Sequence, residues 1–520
     1  MTPIHRRGLF RRGTLAALSG LVARPAVSGS NIYTAIGIRP LVNCKGTFTI
    51  ITGSQTLPEV KRAMEEASRH YVHLDELMDA VGARLAELTK AEWGIVTAGC
   101  AAALTHATAA CIAGTDPEKI QRLPNLAGLK SEVIVPRHSR NVYDQAVRML
   151  GVRMVEVNSA AEFEAAFNEK TAMVMMLASP AADSGGLSTE NIAKFARAKG
   201  VPVIVDAAAE HLTIPSIHLQ RGANMVAYSG GKCIRGPQCA GLLLGEKKLL
   251  QAAWINSAPH HAFGRSLKVG KEEIMGMLAA VEAWTRRDHE AEWKTWESWL
   301  SYIANRVTSI AGVTTETLQP RGLSNRAPQL RIRWDGARLG ITGEEAEKLL
   351  YKGDPRIIFG SAAGNRRESL ESSLTIMPYM MMPGDEKVVA EAIWSALSKP
   401  PKMEPAAAAT GAAASVGGQW DLRIGFLLGA ADHNLVLEQQ GDKLTGTHRG
   451  ETTRGDLRGL IEGSEIRFRS AHRYEGTTLQ YEFDGQVMGD TMRGKVGLGE
   501  YGEAEWSAKR HEYAPPRRRG

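Results

Sequence analysis

Apolar and polar positions along the chain follow two regimes that meet near residue 418. Residues 59–70 and 75–90 place apolar side chains three and four apart, the spacing of amphipathic helices. Between and beyond them stand short, almost wholly apolar runs at 93–97, 132–135, 153–157, 172–177, 201–205 and 225–228. Runs of that length, rich in Val, Ile and Met, predict strands covered on both faces. An alanine-rich helix is expected over 101–113. Strands separated by helices predict a mostly parallel sheet with helices on both sides. A Trp-rich helical region from 272 to about 310 leads into a smaller mixed segment, with strands expected at 329–334 and 356–359 and a closing helix at 385–397. Beyond Lys399-Pro400-Pro401 and the alanine-rich run 406–414, the period becomes two, with turns at Gly441-Asp442 and Asp484-Gly485. That change predicts a small antiparallel barrel or sandwich.

The expected organisation is a leader at 1–28, a large α/β domain at 29–270 with an N-terminal arm, a small α+β domain at 271–399, a linker at 400–417, a β module at 418–511 and a basic tail at 512–520. A chain of 520 residues calls for two or three domains, and 43% hydrophobic with 23% charged residues suits large buried cores. Much of the net charge of +7 lies at the ends, in Arg6, Arg7, Arg11, Arg12 and Arg517-Arg518-Arg519. With no basic stripe interleaved with aromatics, a nucleic-acid partner is not expected. The five cysteines contain no CxxC pair and no histidine-rich companion, so neither a metal site nor a disulfide framework is expected. Paired arginines, an apolar stretch at 14–23 and a small-residue exit at Ala26-Val27-Ser28 describe a twin-arginine-like export signal. The expected address is the periplasm, or the cytoplasm if the leader is only a basic extension. The apolar stretch is too short for a stable membrane anchor.

Chemistry enters at Asp206 and Lys232. The run 201–205 ends on Asp206, and Lys232 follows in Ser229-Gly230-Gly231-Lys232. A carboxylate at a strand end with a later lysine in a Ser/Gly-rich loop is the arrangement that grips pyridoxal phosphate: the lysine bonds the cofactor and the acid keeps its ring nitrogen protonated. Gly99-Cys100-Ala101, at a strand-to-helix junction, offers backbone N–H groups to the phosphate, and Ser229 offers a hydroxyl. His138 follows a strand and is a candidate to stack on the ring, with the small Ala208 on the opposite face.

Residues 32–397 resemble the pyridoxal-phosphate-dependent fold-type-I (aspartate aminotransferase-like) enzymes related to bacterial selenocysteine synthase, most nearly the D-glucosaminate-6-phosphate ammonia-lyase-like branch. The resemblance rests on Ile38-Arg39-Pro40-Leu41-Val42-Asn43 with Gly46-Thr47, on 109–117, on Arg137-His138 with Arg140-Asn141 and Tyr143-Asp144, on Asp206-Ala207-Ala208-Ala209-Glu210, and on Ser229-Gly230-Gly231-Lys232 with Gly236-Pro237-Gln238. It implies that Lys232 carries the cofactor, Asp206 pairs with the pyridinium and His138 stacks on it. It also implies a homodimer or larger homo-oligomer acting on a small amino substrate, an amino acid or amino-sugar acid. The reaction it implies is an α,β-elimination releasing ammonia and a keto acid, with Lys232 as base. An aminotransferase or racemase is the alternative, and a non-catalytic exported binding protein the third reading. The family's tRNA-binding region has no counterpart between the leader and Ile32, so selenium transfer to tRNA is not expected. Lys45 and Arg356 are the candidate substrate contacts.

Overall fold

Most of the apolar runs become strands whose side chains find cover on both faces, the exception being 153–157, which is only partly buried at the sheet's edge. The computed structural model describes residues 31–366, 369–401 and 412–513; the leader, part of the linker and the tail from 514 lie outside them. Residues up to Leu41 form one compact unit and Val42 onward another. Within the first, Asn31 accepts the amide protons of Tyr33 and Thr34 and starts a single 3₁₀ turn, Thr34–Ile36.

The second unit opens with β1, Val42–Cys44. Its seven-stranded sheet comprises β2 Trp93–Thr97, β3 Glu132–Pro136, β4 Arg153–Val157, β5 Thr171–Leu177, β6 Val203–Asp206, β7 Met225–Ser229 and β8 Gly241–Gly245, in the order β2-β8-β7-β6-β5-β3-β4. Only β8 runs against the others. Strand β6 starts at Val203 rather than 201, since Pro202 has no N–H to give; its carbonyl still accepts Val174 N–H. Helices Leu74–Thr89, Gly99–Ala113 and Lys271–Arg286 pack on this sheet, and Pro58–Ser68 packs on Lys271–Arg286. Gly99–Ala113 begins two residues before the expected start and is buried on nearly every side, which is why its alanine-rich sequence carries no polar face.

The Trp-rich helical region is two helices, broken at Arg287-Asp288, where Asp288 caps His289–Val307 by accepting Ala291 N–H. Around it lie β9 Thr314–Leu318, β10 Gln329–Asp335, β11 Ile357–Phe359, β12 Ser361–Asn365 and β13 Ser369–Ile376. Four of these form a sheet in the order β12-β13-β10-β9, and Asp385–Ser398 helps close a separate core. The N-terminal arm belongs here: β1 pairs in parallel with β11 and buries Cys44 in the smaller core.

The β module is a closed barrel. Strands β14 Gly418–Gly425, β15 Ala430–Gln440, β16 Lys443–Arg449, β17 Arg454–Glu462, β18 Glu465–Tyr474, β19 Thr477–Met488, β20 Thr491–Gly497 and β21 Glu503–Arg510 run up and down, and β21 pairs with β14 to complete the ring. Closure removes the exposed edges a sandwich would keep. Trp420, Phe468, Phe483 and Trp506 fill the interior.

Candidate active site

The carboxyl ends of the parallel strands converge where α/β sheets gather their ligands. Asp206 closes β6 between Leu177 of β5 and Ala227 of β7, only 2% exposed. Its Oδ1 accepts Ala208 N–H at 3.1 Å and the Cys100 thiol at 3.5 Å. Burial raises its pKa above the usual carboxylate range, while the Ala208 N–H, the Lys232 ammonium and the Cys100 thiol pull it down. A carboxylate so buried, with no ion pair among the described residues, gains from a cation placed against it. A protonated pyridine ring is such a cation.

Lys232 stands in the connection from β7 to β8. Glycine is required at both positions before it. A Cβ on Gly230 would lie 2.8 Å from Ala240 O and from Met277 Sδ, and one on Gly231 would lie 2.6 Å from Gln238 Cα. Gly231 O also accepts Ser54 N–H, which ties the turn to the arm-side loop. Lys232 Nζ lies 5.9 Å from the centre of the Tyr143 ring. Tyr143 and His138 share the segment 137–144, and His138 Nε2 is buried without a hydrogen-bond partner. Burial lowers the His138 pKa, favouring the neutral ring that a flat aromatic partner stacks on.

The first turn of Gly99–Ala113 has no side-chain cap, which leaves the N–H groups of Gly99, Cys100 and Ala101 without an acceptor among the described residues. Gly99 takes φ +88°. Gly241 of β8 passes so near that a Cβ would collide with the Gly99 carbonyl and the Cys100 nitrogen. This backbone cradle fits an anion. Ser229 joins the neighbourhood through its own N–H, donated to Ala208 O. The structure therefore gathers Asp206, Cys100, Ala208, Ser229 and Lys232, with the 137–144 segment beside them, and these residues fit pyridoxal phosphate.

The two substrate candidates each lie against an aromatic ring. Lys45 Nζ lies over the Phe48 ring at 5.1 Å. The Arg356 guanidinium lies 4.0 Å over Tyr351, its Nε buried and without a hydrogen bond. The structure shows no contact of either with Lys232. Beside the Lys232 turn, instead, is a cavity lined by Cys233, Arg235, Arg287, Arg326, His211, His289, Trp293 and Tyr379, with Glu292 its one carboxylate. Arg235 holds a left-handed φ of +60°, a strained backbone kept at this turn. Arg287 donates to Cys233 O and Ile234 O. Burial pulls the pKa of both arginines down and that of His211 to about 4. Three arginines against one carboxylate give the cavity a positive balance that suits an acid group. Sequence reading missed it; the one available signal was Arg235, in the same loop as Lys232.

A family model described as aminotransferase class-V matches residues 60–264. The chain is 30% identical over 335 residues to a D-glucosaminate-6-phosphate ammonia lyase of Salmonella typhimurium (strain 14028s / SGSC 2262), covering 62% of this chain and 88% of that relative. It is 31% identical over 303 residues to a 5'-C-glycyluridine monooxygenase-decarboxylase of a Streptomyces species, covering 55% and 73%. An L-seryl-tRNA(Sec) selenium transferase of Proteus mirabilis (strain HI4320) is 27% identical over 215 residues, 36% of this chain and 44% of its own. A solved structure of D-glucosaminate-6-phosphate ammonia-lyase superposes with a TM-score of 0.62 at 27% identity, over 71% of this chain and 99% of that one.

Proposed function

Because the chain belongs to the family of pyridoxal-phosphate-dependent fold-type-I enzymes that includes D-glucosaminate-6-phosphate ammonia lyase, we propose that it removes ammonia from an acidic amino substrate, an amino-sugar acid or β-hydroxy amino acid, by α,β-elimination. The observation that carries this reading is the buried Asp206 and the Lys232 turn standing beside an arginine-lined cavity. When bound, the cofactor supplies an electron sink at the carbon that bears the substrate amine. Asp206 holds the proton on the ring nitrogen and keeps that sink strong. Gly99, Cys100, Ala101 and Ser229 would hold the phosphate, and His138 and Ala208 would enclose the ring. Lys232 would hold the cofactor and, once the substrate amine displaces it, would take the α-proton as a free amine. Arg235, Arg287 and Arg326 orient the acid group so that this proton faces Nζ. Loss of the β-hydroxyl as water, and return of water at the α-carbon, leaves a keto acid and ammonia.

The test uses the full chain supplied with cofactor, as wild type and as Lys232→Ala. Wild type should show a visible absorbance band that Lys232→Ala lacks, and should release equal amounts of ammonia and keto acid from β-hydroxy amino acids or amino-sugar acids with no amino acceptor present. Turnover only with an added keto-acid acceptor would replace this reading by transamination. We further propose a homodimer. Support comes from exposed Phe48, Ile50, Tyr71 and Val72, apolar side chains that flank the arm-side loop and the first helix.

A further inference from the structure

We propose that Glu475 and Gly476, at the tip of the β18–β19 hairpin, are positioning residues that hold the active-site segment 137–144 in place, so that the barrel is a working part of the active site. Only the location of that site at Lys232, and not the reaction there, enters this proposal.

The hairpin meets the segment through charge and through shape. Arg140, its side chain 7% exposed, donates from Nε to Asp144 Oδ2 at 2.7 Å and from Nη2 to Glu475 Oε2. Asp144 is fully buried and already serves Arg148 at 2.8 Å. Arg473, on the same hairpin, donates to Glu156 of β4 at 2.7 Å, and Arg137 and Arg140 each lie 3.6 Å from that carboxylate. Arg137, Arg140, Arg148 and Arg473 thus share Asp144, Glu156 and Glu475. Removing Glu475 leaves a nearly buried guanidinium short of a counter-charge, which is costly in a low-dielectric setting.

Shape adds an independent observation. A Cβ on Gly476 would collide with Asn141 O and Asp144 Oδ2. Gly476 is not among the left-handed glycines, so close approach to the segment, and not the turn's own dihedral, accounts for glycine here. Asn141 in turn accepts Tyr143 N–H at 2.8 Å and donates to Ser139 O at 2.9 Å. The hairpin therefore presses on the residue that knits the segment together, between His138 and the Tyr143 that faces Lys232.

The experiment follows hydrogen exchange and cofactor affinity in the full chain for wild type, Glu475→Gln, Gly476→Val, the conservative Glu475→Asp and a control, Leu427→Ser, in a different and exposed hairpin. In Glu475→Gln and Gly476→Val, cofactor-free protein should exchange its 137–144 amides about tenfold faster, and the cofactor dissociation constant should rise about tenfold, with β18 and β19 still protected. Glu475→Asp should recover part of both losses, and Leu427→Ser should change neither. Unchanged exchange and affinity in both variants would overturn the proposal. So would loss of protection throughout β18 and β19 in both, because the hairpin would then serve only the barrel's own folding.

Discussion

Arg326 packs its guanidinium 5.6 Å from the Trp293 ring centre and forms no ion pair among the described residues. Of the three cavity arginines it is the one whose side chain gives no hydrogen bond among the described residues, so its charge is the most available to a substrate. Arg326→Gln should raise KM for an acidic amino substrate about tenfold and change kcat much less, as steady-state kinetics would report. Lys45→Gln and Arg356→Gln should change KM far less. Asp206 and Lys232 were legible because each lies in a contiguous motif whose residue types have one economical explanation. Arg287 and Arg326 were not, since distant segments bring them to the cavity and neither has a local pattern. Lys45 and Arg356 were suggested by position along the chain, and each side chain lies over a neighbouring aromatic ring.

Among the elements, the barrel carries the clearest pH prediction. His433, His448 and His472 project into one end, with His433 Nδ1 2.8 Å from His448 Nε2, Ser470 on His448 Nδ1 and Thr453 on His472 Nδ1. Tyr481 lies edge-on to His448. Burial lowers all three pKa values, that of His448 to about 2, although Asp432 and Glu451 partly offset the effect at His433. An unfolded imidazole takes its proton near pH 6.5. These histidines therefore leave the folded barrel's stability intact above that pH and reduce it as pH falls, by about 2 kcal/mol at pH 5 from His448 alone. Chemical denaturation followed by tryptophan fluorescence should show the loss, and His448→Gln should flatten it. The strands themselves were legible from period and turn chemistry alone. Closure of the ring was not, because it depends on the pairing of Trp420 with Arg510 at opposite ends of the module. The break at Arg287-Asp288 was also missed, although the polar run 285–290 interrupts the apolar spacing and Asp288 caps the new helix.

For the whole molecule, the paired arginines and apolar stretch of the leader make export the outstanding expectation. Expressed with its leader, the protein should appear in the periplasmic fraction, shortened and already bearing cofactor. Replacing Arg6, Arg7, Arg11 and Arg12 by lysine should leave the longer form in the cytoplasm, as fractionation and mass spectrometry would show. The parity of the barrel adds a practical corollary. With eight strands, Gly418 and Arg510 lie at one rim, and the hairpin that meets the catalytic body lies at the other. A fluorescent reporter or surface anchor fused after the last strand would start from the far rim, leaving the catalytic face clear.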